Sequence, residues 1–332
     1  MQATKHWHQR IGNQRDWVWR GWQTRYTYAK AGTGDAAEPA RRDRCQRSPL
    51  ILLHGFGASI EHWRHNLPIL SQQHTVYALD LLGFGASRKA NVDYTVPLWV
   101  EQVHDFWQTF IRQPVVLVGN SIGSLVCLTL AATYPEMVEG IVMLSLPDVS
   151  LRQEMIPPRL QSLVTTIENL VASPPLLRNL FKILRRQPFI KSWAAIAYAN
   201  KTVITEELLE ILSAPAYDEG AEQTFCTLFR AVRQPEFAPP AKEVLPKLNI
   251  PILLIWGSQD RMVLPSLAPI FVKLNPNIKL VEIERAGHCP HDECPEQFNR
   301  ILLDWLEENN RADERVEERS TSDIPSPELD CT

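Results

Sequence analysis

The stretch Gly119-Asn120-Ser121-Ile122-Gly123 joins an apolar, strand-like run at Val115–Val118 to a helix-like run at Ser124–Tyr134. A serine with a small residue two positions away on each side is the nucleophile-elbow pattern. Such a serine lies on a sharp turn with a strained backbone, and the small neighbours let strand and helix pass closely. A glycine loop with an incidental serine would show the same five letters, so the interpretation depends on the rest of the chain.

Two residues farther along the chain supply what a nucleophilic serine needs, namely a base and a carboxylate that orients the base. Asp260 follows the apolar run Ile252–Trp256, and His288 follows the run Lys279–Ile283. Either residue alone would be an ordinary turn or loop residue. Because both follow strands, and because the order is serine, acid, histidine, we predict a triad of Ser121, Asp260 and His288.

Asp148 is the alternative orienting acid, since it also follows an apolar run, Ile141–Leu146. The segment Gly257–Pro265 resembles the usual loop that carries the acid after a strand. Asp148, by contrast, also fits as an N-cap that opens a helical region. We therefore favour Asp260 and expect separate substitutions of the two acids to distinguish them.

The oxyanion of a tetrahedral intermediate needs preorganised donors, generally the amide after the nucleophile and one from a loop after another strand. His54-Gly55-Phe56-Gly57 follows the short apolar run Leu50–Leu53. The predicted donors are the backbone amides of Phe56 and Ile122. We interpret His54 as structural, and Trp63 and Phe84 as candidates for the substrate pocket.

Strand and helix patterns alternate over most of the chain, which predicts an α/β core with parallel strands joined by right-handed crossovers. Two half-buried antiparallel strands are predicted within Asp16–Lys30. After Pro147 the pattern becomes helical, with predicted helices at Arg159–Val171, Leu176–Arg186, Glu206–Leu212 and Gly220–Val232. We predict an α/β core at residues 1–148 and 244–310, interrupted by a helical cap at 149–243 that covers the carboxyl ends of the strands.

Composition and charge limit the classes of protein to be considered. The 332 residues are 45% hydrophobic, no apolar run approaches the roughly 18 residues that span a bilayer, and the first ten residues are unlike a signal peptide. Residues 311–332 hold three arginines and seven acids, which accounts for the whole net charge of −4. We expect this segment to be an acidic, disordered tail, and we expect no nucleic-acid partner because no basic face is evident.

The six cysteines are scattered along the chain rather than spaced as in a disulfide scaffold. This usage predicts free thiols and a cytoplasmic location. Two further segments look like ligand sites, but we interpret the first as a turn beneath the active site and the cysteines of the second, Cys289 and Cys294, as packing residues at the entry to a helix. Asp80–Ser87 lacks the lysine of a phosphate loop, and His288–Cys294 lacks the ligand spacing of a zinc site. No metal or organic cofactor is therefore predicted.

Together these motifs resemble the α/β-hydrolase superfamily over residues 16–310. That resemblance implies a sheet of about eight mostly parallel strands, flanked by helices, with a helical cap. Dehalogenases and epoxide hydrolases of this fold use an aspartate as the nucleophile, and Ser121 departs from that pattern. Asn120 and the segment Leu130–Glu136 resemble the pheophytinase and chlorophyll-dephytylase-like esterases. This resemblance implies hydrolysis of a carboxylic ester that carries a bulky hydrophobic group, with the phytyl ester of a chlorophyll derivative as one example.

Two other functions are compatible with these residues. A carbon–carbon bond hydrolase would use the same triad, and a hydrolase fold can also serve as a non-catalytic binding protein. The sequence leaves open the oligomeric state and a peripheral contact between the cap and a membrane.

Overall fold

A computed structural model describes residues 10–32, 47–148 and 174–322, with side chains described up to residue 311. One sheet of eight strands forms its centre, in the order β1-β2-β4-β3-β5-β6-β7-β8. β1 and β2 are antiparallel to each other, β2 is antiparallel to β4, and the remaining neighbours are parallel. The strands are Asn13–Trp19, Trp22–Ala29, Leu50–Leu53, Val76–Leu79, Val115–Asn120, Val138–Leu144, Ile252–Gly257 and Ile278–Ile283. The predicted fold class is confirmed.

Eleven α-helices connect the strands within the described residues and cover the sheet. They are α1 Leu67–Leu70, α2 Val96–Phe110, α3 Ile122–Thr133, α4 Pro174–Leu184, α5 Gln187–Ala197, α6 Glu206–Ser213, α7 Ala221–Ala231, α8 Ala241–Val244, α9 Ala268–Val272, α10 Pro290–Glu293 and α11 Pro295–Ser322. The part of the chain described between β6 and β7 is helical and contains no strand, as the cap prediction requires.

The central strands are apolar throughout because helices cover both faces of the sheet. Side chains alternate between two cores: Ile51 and Leu53 pack with α2 and α3, whereas Leu50 and Leu52 pack with α11. Every residue of β5 is buried. This burial explains why these strands appear in the sequence as continuous apolar runs rather than as alternating patterns.

The parallel register brings the carboxyl ends of the strands to one edge of the sheet. Leu53 lies opposite Gly119, and Asn120 lies opposite Leu144. Gly257 lies opposite Ile283. Because Phe56, Ser121, Asp260 and His288 all follow these ends, the topology gathers the predicted site residues along that edge.

Three segments differ from the sequence predictions or lie beyond them. The predicted helix Arg159–Val171 lies outside the described residues. The sequence analysis did not predict α5, in which Pro188 occupies the first turn, where proline is tolerated. The last helix continues to Ser322, past the predicted start of the tail at residue 311. An Arg311–Glu307 ion pair, spaced four residues apart, supports this continuation.

Candidate active site

Ser121 lies at the turn between β5 and α3 with φ 54° and ψ −112°, a conformation that non-glycine residues rarely adopt. Its amide donates to the carbonyl oxygen of Leu144 on the neighbouring strand at 2.9 Å, which holds the strained residue in place. A Cβ atom on Gly123 would lie 2.2 Å from the carbonyl oxygen of Leu53. A glycine is therefore required where α3 crosses β3, as the elbow pattern predicted.

His288 and Asp260 form a buried pair in the loops that follow β8 and β7. Nδ1 of His288 lies 2.8 Å from Oδ2 of Asp260. Since an ionised carboxylate only accepts, Nδ1 carries the proton and donates it, which leaves Nε2 of His288 as the nitrogen that can accept a proton. The other oxygen of Asp260, Oδ1, accepts the amides of Met262 at 2.8 Å and Val263 at 3.0 Å.

These contacts set the charge of Asp260. Burial raises the pKa of Asp260. The hydrogen bond and charge of His288 and the amide of Val263 together lower that pKa by more than burial raises it, so it lies below its usual value. Asp260 is therefore ionised at neutral pH, which suits a group that stabilises an imidazolium ion.

Asn120 connects the elbow to the histidine loop. Its side-chain Nδ2 donates to the carbonyl oxygen of His288 at 3.0 Å, and its Oδ1 lies 3.9 Å from Sγ of Cys289. The residue directly before Ser121 is thus bonded to the backbone of His288. This contact places the serine and the histidine loop side by side at the same edge of the sheet.

Asp148, the alternative acid, is engaged elsewhere. Its Oδ2 accepts the amide of Ala241 at 3.0 Å, at the start of α8. Asp148 thereby connects the end of β6 to the end of the cap region. The structure brings Asp260, rather than Asp148, to His288.

The loop after β3 is held by buried polar contacts around His54. Nε2 of His54 accepts the amide of Leu81 at 3.1 Å, so Nδ1 is protonated and donates to the carbonyl oxygen of Gly55 at 2.8 Å. Burial lowers the pKa of His54 to about 4, so the ring is neutral. His54 supports the loop that carries Phe56 and Gly57, in agreement with its interpretation as a structural residue.

The Asp80–Ser87 segment packs beneath this loop. The Asp80 carboxylate accepts the amides of Ile60 at 2.8 Å and Ala86 at 2.7 Å. Because a Cβ atom on Gly85 would lie 2.2 Å from the Asp80 carboxyl carbon, the segment closes tightly around that carboxylate. The segment is a structural turn, as predicted.

The two pocket candidates lie in different places. The ring of Phe84 contacts those of Phe56 and His54, at centroid distances of 5.6 Å and 5.5 Å, beside the loop of the predicted oxyanion donor. Trp63 is fully buried and packs on His291 in the core beneath α11. A short 3₁₀ helix, Ile60–Trp63, turns this side chain into the core. The structure therefore places Phe84 near the predicted site and Trp63 in the core.

The cap is fastened directly to the histidine loop. The carbonyl oxygen of Ala197, at the end of α5, accepts the amide of His288 at 2.7 Å. The Glu293 carboxylate accepts the amide of Gly287 at 2.6 Å and also that of Asn200 in the cap. A Cβ atom on Gly287 would lie 2.1 Å from the Ala197 oxygen, so only glycine permits this approach. The cap thus helps to hold the backbone of His288.

A buried polar cluster strengthens the same junction. The Tyr198 hydroxyl donates to Oδ2 of Asp292 at 2.6 Å and accepts a hydrogen bond from Nε2 of His62 at 2.7 Å. Arg64 pairs with the other oxygen of Asp292 at 2.6 Å and with Glu207 of α6 at 2.8 Å. Burial lowers the pKa of His62 to about 4. The cluster joins the cap, the 3₁₀ helix and α10.

The sequence analysis did not assign these junction residues. Tyr198, Asp292 and Glu293 follow no catalytic spacing, and their partners lie far away in the chain. The one available signal was the density of polar residues in His288–Cys294, which was considered only as a metal site. In the part of the chain that the structure describes, no group of three or more His, Cys, Asp or Glu side chains could hold a metal ion.

Comparison with known proteins agrees with this architecture. The family model described as alpha/beta hydrolase fold matches residues 48–295. Pheophytinase, chloroplastic, of Arabidopsis thaliana is 24% identical over 318 residues, which cover 85% of this chain but only 64% of that protein. The 2-hydroxy-6-oxo-6-(2'-aminophenyl)hexa-2,4-dienoic acid hydrolase of Metapseudomonas resinovorans is 27% identical over 271 residues, covering 80% and 85% of the two chains.

Among solved structures, a membrane phospholipase A described as a bacterial virulence factor superposes with a TM-score of 0.70 at 23% identity. The match covers 91% of this chain and 88% of that protein. At this identity the likeness concerns the fold alone. The family model, which covers most of the chain, shows that this protein belongs to the alpha/beta hydrolase fold family.

Proposed function

We propose that the protein is a serine hydrolase that cleaves a carboxylic ester carrying a bulky hydrophobic group. The observation that carries this proposal is the arrangement at the elbow. Ser121 has a strained backbone at the end of β5, and the residue before it is bonded to the loop in which His288 pairs with Asp260 at 2.8 Å. A nucleophile, a base and an orienting acid are the parts that acyl transfer needs.

In this proposal the reaction starts with His288 protonated on Nδ1 and with Asp260 ionised. Nε2 of His288 takes the Ser121 hydroxyl proton as Oγ attacks the acyl carbon, and ionised Asp260 stabilises the imidazolium. The amides of Phe56 and Ile122 bind the oxyanion. The imidazolium then gives its proton to the departing alcohol. Water, activated by the same histidine, releases the carboxylic acid from Ser121 and restores the hydroxyl.

The apolar surroundings support a hydrophobic substrate. The ring of Phe84 contacts that of Phe56 on the loop of the proposed oxyanion donor, and the cap reaches the histidine loop through Ala197. The similarity to pheophytinase supports the phytyl ester of a chlorophyll derivative as a specific candidate.

Carbon–carbon bond hydrolysis is the second candidate, and the similarity to the Metapseudomonas dienoic acid hydrolase favours it. Both reactions would use Ser121 and His288. Product analysis separates them, because ester cleavage releases an alcohol and an acid, whereas cleavage of a dienone substrate breaks a carbon skeleton.

The proposal is tested by comparing Ser121→Ala with Ser124→Ala. The matched control lies in the first turn of α3, three residues after Ser121, but its Oγ donates to backbone oxygens at 2.7 Å and 2.9 Å. Ser121→Ala should lower the hydrolysis of p-nitrophenyl esters and of a phytyl-ester pigment by about 10⁴-fold or more and abolish labelling by a fluorophosphonate. Ser124→Ala should keep most of the activity and lose about 1–2 kcal/mol of stability.

The dependence of activity on the chain length of the ester identifies the substrate class. Activity that is lost in Ser121→Ala and highest on long or phytylated esters would support the proposal. Full esterase activity in a folded Ser121→Ala variant would refute it. Absence of ester hydrolysis together with cleavage of a dienone substrate would favour the second candidate.

A further inference from the structure

The two cap helices α4 and α5 carry an unusual combination of charge and exposed apolar side chains. Residues 174–197 contain five basic residues and no acidic one. The basic residues are Arg178, Lys182, Arg185, Arg186 and Lys191. On a globular surface, cations and anions are normally interspersed, so this segment is electrostatically one-sided.

Large apolar side chains are exposed on the same two helices. On α5, Phe189, Trp193 and Ile196 are 46%, 53% and 49% exposed, and their spacing of four and three residues places them on one face of the helix. On α4, Leu176 and Ile183 are 45% and 41% exposed and lie two turns apart. An exposed aromatic and aliphatic stripe among cations is typical of a helix that lies in a membrane interface.

Four acidic residues in the described part of the cap are engaged with partners of their own. Glu207 pairs with Arg64, and Asp218 pairs with Lys89 at 2.8 Å. Glu222 of α7 lies 3.8 Å from Arg178 and Glu206 accepts a hydrogen bond from Gln187. Of these four acids only Glu206 contacts α5, at its first residue Gln187, and the exposed cations Arg186 and Lys191 outnumber that one carboxylate.

We propose that α4 and α5 dock the protein on an anionic lipid surface, with Phe189, Trp193 and Ile196 inserted among the headgroups and with Arg186 and Lys191 bound to lipid phosphates. A second copy of this chain is the wrong occupant, because two identical basic faces repel each other. Within the described residues no helix is long and apolar enough to cross a membrane, and docking requires none.

The position of the docking face links it to the candidate active site. α5 ends at Ala197, whose carbonyl oxygen accepts the amide of His288 at 2.7 Å. A membrane that holds α5 therefore lies next to the loop of the candidate base. A hydrophobic ester dissolved in lipid would reach the site without crossing water. The docking itself goes beyond the proposed function and would hold equally for a carbon–carbon hydrolase.

Vesicle sedimentation tests this surface without relying on catalysis. The wild type and Ser121→Ala are mixed at low salt with vesicles of phosphatidylcholine alone or with about one third phosphatidylglycerol. Both proteins should bind the anionic vesicles, bind neutral vesicles much less, and dissociate as salt screens the charges.

The double variant Phe189→Ser/Trp193→Ser should bind the anionic vesicles about tenfold more weakly than the wild type. Arg186→Gln and Lys191→Gln should each weaken binding about fivefold, the equivalent of about 1 kcal/mol per cation.

Two substitutions elsewhere serve as matched controls. Val18→Ser removes an apolar side chain that is 68% exposed on β1, and Arg300→Gln removes an exposed cation on α11. Both should bind like the wild type. The surface variants and both controls, which keep Ser121, should hydrolyse a short soluble ester at the wild-type rate, so a failure of the proposed function would appear separately. Equal binding to both kinds of vesicle, no binding to either, or wild-type binding by Phe189→Ser/Trp193→Ser would overturn the proposal. A dimer that Trp193→Ser dissociates would also overturn it.

Discussion

His288 donates a hydrogen bond from Nδ1 to Oδ2 of Asp260 at 2.8 Å, across a separation of 28 residues in the chain. The two residues meet because β7 and β8 are parallel neighbours whose carboxyl ends lie at the same edge of the sheet. Burial of the pair strengthens this bond and keeps the imidazole in one tautomer. The contact determines which nitrogen faces a nucleophile.

Substitution of the two candidate acids should therefore have different effects. Asp260→Asn leaves the shape of the pair intact but removes the charge, and we expect kcat on an ester to fall by about 10⁴-fold. Asp148→Ala removes an acceptor for the Ala241 amide, and we expect a loss of about 1 kcal/mol of stability with kcat within tenfold of wild type. Ester kinetics and urea denaturation measure both effects. An inactive Asp148→Ala beside an active Asp260→Asn would reverse the assignment.

Glu293 should act as a positioning residue for the histidine loop. Glu293→Gln places an amide NH₂ group against one of the backbone donors, Gly287 or Asn200, and leaves a buried donor unpaired. We expect a loss of about 1–3 kcal/mol of stability and a fall in kcat that exceeds the change in KM. The exposed Glu296 on α11 offers a matched control, and Glu296→Gln should change neither quantity. If Glu293→Gln changes stability but leaves kcat untouched, its role is structural only.

The elbow glycine should tolerate no side chain. A Cβ atom at position 123 would lie 2.2 Å from a backbone oxygen of β3, which a rotamer change cannot relieve, so Gly123→Ala should lose more than about 4 kcal/mol. Gly57 has φ +69° but open space around it, so Gly57→Ala should lose only about 1 kcal/mol. Soluble yield and denaturation midpoints give the comparison. Equal midpoints for the two variants would contradict this account of the turn.

Stability should depend on pH through His62. Its pKa in the folded protein, about 4, lies below the ordinary value of 6.5, so the unfolded chain takes up the proton first as pH falls. The contribution of His62 is complete above pH 6.5 and is lost as pH falls toward 4. Between pH 6.5 and 5 the wild type should lose about 2 kcal/mol more than His62→Gln. Denaturation of both proteins at each pH isolates this contribution, because other titrating groups are common to both. Parallel pH curves would show that His62 titrates normally.

Several elements were predictable because local pattern alone specifies them. β3 and β7 are short apolar runs bounded by turn residues, so each was predicted within one residue. The position of Trp63 and the length of α11 were harder to predict from the sequence. The direction in which Trp63 points depends on a 3₁₀ turn. The helix α11 continues into an acidic segment that looks like a solvated tail in the sequence, and Arg311 pairs with Glu307 where that segment begins.

The sequence by itself determined the order of strands and helices, the strained turn at Ser121 and the glycines that permit it, because these depend on neighbours within a few residues. Only the tertiary structure decided that Asp260 rather than Asp148 reaches His288, and that Ala197 and Glu293 fasten the cap to the histidine loop. Those contacts join residues far apart in the chain. They form through sheet register and cap docking, which no local pattern encodes.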